Sequence, residues 1–174
     1  MTVHVVAMGV SGSGKSTVAQ GMVERTGWVF AEADAFHPQA NIDKMSQGIP
    51  LTDEDRWPWL HDLAAWMAEH AARGEDTVIT CSALKRTYRD ALRADVAALG
   101  AGHRVLFAHL DGSAAVIAER LEGRQGHFMP ASLLQSQIDT LEDLEPDEDG
   151  VVLDLTAAPE ALVDQVMASV APGR

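Results

Sequence analysis

Gly9-Val10-Ser11-Gly12-Ser13-Gly14-Lys15-Ser16-Thr17 decides how the rest of the chain is read. It follows the apolar run Val3 to Met8 and leads into a stretch with helical spacing, Lys15 to about Thr26. A Gly-x-x-x-x-Gly-Lys-Ser pattern between a strand and a helix is a P-loop. The glycines let successive backbone N–H groups turn inward around a polyphosphate. The helix that follows aims the positive end of its dipole at the same anion. Lys15 is placed to reach the β- and γ-phosphates, and the Ser16 hydroxyl to ligate Mg²⁺. Gly9, Val10, Ser11, Gly12, Ser13, Gly14, Lys15, Ser16 and Thr17 are therefore the candidate nucleotide-binding residues.

Outward from the cradle, short apolar runs alternate with amphipathic ones. Strands are expected at Trp28 to Ala31, Thr77 to Cys81, Val105 to Leu110 and Val151 to Leu155. Long helices are expected from Thr52, from Lys85 to about Leu99, from Ser113 to Glu122 and from Pro159 to about Val170. The stretch from Ala33 to Leu51 is irregular, with one short helix around Ala40 to Met45. Such βα alternation predicts an α/β fold, a mainly parallel sheet with helices on both faces. Ligands then gather at the carboxyl ends of the strands.

Length and charge narrow the choices. A chain of 174 residues is one domain. Its 26 acidic residues against 13 Lys plus Arg give a formal charge of −13, which argues against nucleic-acid or anionic-lipid partners. The single cysteine, Cys81, fits a reducing compartment, and the residues after Met1 lack a basic leader. No apolar run has the length of a membrane span, so a cytoplasmic protein is expected. The run Glu142, Asp143, Glu145, Asp147, Glu148 and Asp149 reads as a solvated loop. With no Asn-Lys-x-Asp guanine motif and no room for a motor's extra domains, the pattern points to a small-molecule kinase using ATP.

The acceptor side is sought after the second strand, in Glu32-Ala33-Asp34-Ala35-Phe36-His37-Pro38. If the pleat persists, Glu32 and Asp34 face the same way. One carboxylate then holds Mg²⁺ or its water shell, and the other accepts a proton from a hydroxyl. A protein this acidic must concentrate its cations where anions bind, which singles out Lys44, Arg56, Lys85 and Arg86 with Ser82 beside them. Arg120 and Arg124 share a helix face and lead into Gly123 to Pro130, which reads as a lid carrying His127. Asp111 either imitates a metal-holding aspartate at a strand end or opens a helix-start turn.

Together these segments resemble the gluconokinases, small P-loop enzymes that phosphorylate D-gluconate with ATP. The resemblance rests on the P-loop and on Asp34 to Pro38, Asn41-Ile42-Asp43-Lys44-Met45, Gly48 to Arg56, Pro58-Trp59-Leu60, Cys81 to Lys85, Tyr88-Arg89-Asp90 and Gly126-His127-Phe128. It spans nearly the whole chain in order. It implies a three-layer αβα P-loop kinase fold, a single domain over 1–174 with a five-stranded parallel sheet, a substrate-binding insert over about 37–60 and a lid over about 123–131. It implies the product 6-phospho-D-gluconate, a need for Mg²⁺ and a homodimer. By match, Asp34 is the catalytic carboxylate, joined by Lys15 and Arg124. His37, Arg56 and Lys85 match as substrate-pocket residues, with Lys44, Ser82, Arg86 and His127 as further candidates for that pocket, and Arg120 and Arg124 match as nucleotide and lid residues. Glu32-Ala33-Asp34 stands where an Asp-Gly-Asp type sequence is expected, and Glu32 is assigned to the metal through water. The rival readings are a kinase for another small polyol acid such as shikimate, or a nucleotide-sensing module without transfer chemistry.

Overall fold

β1 (Thr2–Met8) is buried along its whole length and lies in the middle of the sheet. The computed structural model describes residues 1–122 and 131–171. β2 (Val29–Glu32), β3 (Thr77–Thr80), β4 (His103–Asp111) and β5 (Gly150–Asp154) complete five parallel strands in the order β2-β3-β1-β4-β5. A run such as Val3-His4-Val5-Val6-Ala7-Met8 suits this place because helices cover both faces of a parallel sheet. The register sets Met8 beside His109 and Glu32 beside Thr80. The carboxyl ends of β1, β2 and β3 therefore form one edge.

α1 (Lys15–Thr26) leaves the P-loop and packs on α7 (Pro159–Val170). α2 (Gln39–Ser46) and α3 (Asp53–Ala72) carry the inserted segment. α3 begins at a capping box: the Thr52 hydroxyl accepts from the Asp55 amide, and the Asp55 carboxylate accepts from the Thr52 amide. Asp53, Glu54 and Asp55 also suit the positive end of that helix. Its inner face buries Leu60, Leu63 and Met67 completely, each contributing about 1.5–3 kcal/mol. α4 (Arg86–Ala97), α5 (Ala114–Glu122) and α6 (Ala131–Thr140) follow β3, β4 and the stretch 123–130.

Two expectations need correction. The pleat does not persist past Glu32: Ala33–Phe36 is a single 3-10 turn. The acidic run after α6 is not simply solvated either. The side chains of Glu148 and Arg89 are both fully buried, paired at 2.8 Å, and Arg93 adds a bond to Glu148 at 3.0 Å. A carboxylate can be buried at such a site because its oxygens are matched by guanidinium donors.

Candidate active site

A cleft of about 800 Å³ opens at the carboxyl edge of the sheet. The P-loop forms its floor from Ser11 to Ser16. Asp34, His37, Arg56 and Trp59 form one wall, and Thr80, Cys81, Ser82 and Leu84 a second. Leu133, Ser136 and Gln137 of α6 close the third side.

The floor is shaped by its glycines. Gly9 has φ 145°, and a Cβ there would lie 2.7 Å from Ser13 Oγ and 2.9 Å from the Leu110 carbonyl oxygen. Gly14 is the N-cap of α1 in the left-handed conformation, φ 98°. It offers no side chain to the first amides of α1, and that first turn contains no acidic residue. In a chain of net charge −13, this leaves a helix N-terminus suited to an anion. The Lys15 ammonium folds back over the loop, donating to the carbonyls of Gly9 at 2.8 Å and Val10 at 3.3 Å. Arg120 lies along the far side of the loop, donating to the Leu155 carbonyl at 2.5 Å and the Ser13 carbonyl at 3.5 Å. The Ser11 amide donates to Gln137 Oε1 at 2.7 Å, so α6 reaches down to the cradle.

Glu32 ends β2 directly beside these groups. Its two oxygens accept from Ser16 Oγ at 3.1 Å and Thr80 Oγ1 at 2.9 Å. Among the described residues, no group of three His, Cys, Asp or Glu side chains could hold a metal alone. One carboxylate and one hydroxyl beside a phosphate cradle nevertheless fit Mg²⁺, a hard cation that keeps several waters and takes ligands from substrate phosphates.

The facing wall presents Asp34, whose side chain is 91% exposed. His37 Nε2 lies 4.0 Å from Asp34 Oδ1. The His37 ring stacks on Trp59, centroids 4.1 Å apart, and the Trp59 indole N–H donates to the Ala33 carbonyl at 2.8 Å. Burial, with a smaller push from Arg56, lowers the His37 pKa against the pull of Asp34. Arg56 donates to the Leu51 carbonyl at 2.8 Å and to Tyr88 Oη at 2.9 Å. Tyr88 in turn donates to Asp53, which also accepts from Lys85 at 3.2 Å. Tyr88 is pushed up to about 12 by burial and then by that bond to Asp53.

Among the expected site residues, the P-loop positions Ser11 to Ser16 line the cleft together with Glu32, Asp34, His37, Arg56 and Ser82. Lys44 and Lys85 sit behind the wall, bound to Asp55 at 2.7 Å and to Asp53 respectively. Arg86 is turned away from the cleft, spending its guanidinium on Asp90, Glu145 and Asp147. Arg124, His127 and the lid stretch 123–130 lie outside the described residues. Asp111 borders a separate surface hollow with Gly112 and Asp154, not this cleft. Burial pushes the Cys81 thiol up to about 12, so it is no nucleophile. Thr80 and Gln137 are cleft residues that sequence reasoning missed. Thr80 had one available signal, its place at a strand's carboxyl end.

The family described as AAA domain matches residues 5–144. The chain is 47% identical over 163 residues to a gluconokinase of Gluconobacter oxydans, covering 94% of this chain and 88% of that one. A gluconokinase structure from Sinorhizobium meliloti is 48% identical and superposes with a TM-score of 0.80, covering 96% of this chain and 90% of the other. An unliganded sugar kinase from a Janibacter species is 60% identical with a TM-score of 0.89, covering 98% and 95%.

Proposed function

The chain belongs to the gluconokinases, a kinase that phosphorylates D-gluconate, and we propose that the transfer runs across the cleft between the P-loop and the Asp34 wall. ATP lays its phosphates along Gly9 to Thr17 with the γ-phosphoryl group toward Asp34. The C6 hydroxyl of gluconate attacks the γ-phosphorus in line. Its proton passes to the Asp34 carboxylate as the bond from the γ-phosphorus to the bridging oxygen breaks. The products are 6-phospho-D-gluconate and ADP. Lys15 and the P-loop amides neutralise charge on the transferring group and on the leaving ADP. Ser16 and, through water, Glu32 would hold Mg²⁺, which would supply positive charge to offset that of the phosphates. Arg56, with Ser82 beside it, takes the gluconate carboxylate, and Lys44 and Lys85 support that wall. Arg120 braces the P-loop from its far side, and Arg124 and His127, outside the described residues, are the proposed nucleotide and substrate residues of the 123–131 stretch. The reading extends to a homodimer in the cytoplasm. Among the described residues no helix is long and apolar enough to cross a membrane.

The observation that carries the proposal is that Asp34 and the P-loop line one cleft. The test is ADP release measured with and without D-gluconate, and with shikimate and other sugar acids as competing acceptors. D-Gluconate should give the highest kcat/KM, with phosphorus attached at C6 by NMR. ADP release indifferent to every acceptor would point instead to a nucleotide-sensing module.

A further inference from the structure

Asn41 is only 2% exposed, and it stands behind His37 rather than in the cleft. Its Nδ2 makes two contacts: 2.9 Å to the Asp55 carbonyl oxygen and 3.2 Å to His37 Nδ1. The first contact fixes the orientation of the amide, because a backbone carbonyl only accepts. The NH₂ end must therefore face both partners. One of its protons goes to Asp55 and the other to His37 Nδ1, which must then be the bare, accepting nitrogen. The ring proton is left on Nε2, the nitrogen that faces Asp34 at 4.0 Å. Stacking on Trp59 holds the ring plane, so the Nε2–H direction is held as well.

That 4.0 Å gap is too long for a direct hydrogen bond, yet one hydroxyl oxygen about 2.8 Å from each group spans it. Asp34 can only accept when ionised, and Nε2–H can only donate. A hydroxyl seated between them gives its proton toward Asp34 and receives a bond from His37. Its rotation about the C–O bond is then set, leaving a lone pair for the phosphorus.

We infer that Asn41 is a positioning residue that holds His37 in the neutral Nε2–H form, so that the ring donates to the same acceptor hydroxyl that Asp34 orients. The inference rests on the kinase reading for the identity of that hydroxyl, but the tautomer itself does not depend on it. It also gives the site a chemical preference: the group placed there must both donate and accept, as an alcohol does and a carboxylate does not.

The experiment uses the intact protein labelled with ¹⁵N in histidine. Long-range ¹H–¹⁵N correlation reports the tautomer, and His37→Gln identifies the His37 signals among the seven histidines. The wild-type ring should show the Nε2–H pattern, and Asn41→Asp should move the neutral ring's proton to Nδ1, where the new carboxylate accepts it. Asn41→Ala, which leaves Nδ1 without its donor, should give a mixture of the two forms. In both variants kcat/KM for gluconate should fall about 10-fold, the scale of one neutral hydrogen bond, with KM for ATP unchanged. An Nδ1–H pattern in the wild type overturns the inference outright, even if neither variant folds. Unchanged gluconate kinetics in variants with altered tautomers would overturn the positioning role. Poor turnover of D-gluconate against strong turnover of another alcohol, with the Nε2–H pattern present, would bear out the tautomer and overturn only the choice of acceptor.

Discussion

Arg89 and Arg56 show two uses of the same side chain. Arg89 is fully buried, and all five of its N–H donors are spent. Its Nε and Nη2 grip Glu148 at 2.8 and 3.0 Å, Nη1 bonds the carbonyls of Ala83 and Glu142, and Nη2 also bonds that of Asp143. This closes the loop after β3 onto the segment after α6. Ala83 has φ 48°, uncommon for a residue with a Cβ, and the bond from Arg89 helps hold it there. Arg56 is different. The bonds described for it run through Nη1, and its side chain lines the cleft. A cation whose donors are saturated by the protein organises structure, and one with donors to spare is available to a ligand.

That contrast predicts which variants lose stability and which lose function. Glu148→Ala should have the largest effect on the fold, about 3–5 kcal/mol, because it strands the Arg89 charge in the interior. Urea unfolding checks it, and a loss below about 1 kcal/mol would break the comparison. Asp34→Ala should do the opposite. Its exposed side chain has little to lose on unfolding, so stability stays within about 0.5 kcal/mol. Turnover should fall by at least about 10²-fold with ATP binding retained. Unchanged turnover would remove Asp34 from the mechanism.

His4 sharpens the comparison at the opposite edge of the sheet. Its ring is closed in by the hydroxyls of Thr2 at 2.9 Å and Thr77 at 2.8 Å, and burial lowers its pKa from 6.5 to about 4. The folded state therefore binds fewer protons than the unfolded state between those values. The stability contributed by neutral His4 is complete above about pH 6.5 and is lost as pH falls toward 4, by at most about 3 kcal/mol. Unfolding midpoints of wild type and His4→Asn should converge over that window; parallel curves would show that His4 does not titrate with folding. Arg56→Met should have the smallest effect, a rise in gluconate KM of about 10- to 100-fold with KM for ATP unchanged, the scale of a charge-assisted bond. A proportional rise in both constants would place Arg56 with Arg89 as a structural cation.

Much of the site was legible because its parts are short and contiguous. The P-loop works through backbone amides supplied by nine consecutive residues, so its pattern survives in the sequence. Asp34 and His37 follow a strand end within a few residues of one another, although the turn that points them into the cleft is 3-10 and not the extended pleat that alternation suggests. The partnership of Thr80 with Glu32 was not legible, for a different reason. The two meet only because β2 pairs with β3 in parallel, and strand order is a long-range choice. Arg86 and Arg89 are three apart and look alike in sequence, yet one pairs with carboxylates at the surface and the other is sealed inside. The acidic run misled in the same way, since its composition matches a solvated loop while Glu148 has a buried partner 59 positions away.

The sequence by itself therefore determined the alternation of strands and helices, the anion cradle and the placing of the Asp34 carboxylate just past a strand end. Each depends on periodicity or on neighbours along the chain. Tertiary structure alone decided which charges are exposed and which are neutralised. It also decided which hydroxyl stands beside Glu32 and which nitrogen of His37 carries the proton. Those outcomes depend on distances of about 3 Å between residues far apart in the chain, and hydrogen-bond partners are chosen by that proximity and not by residue type.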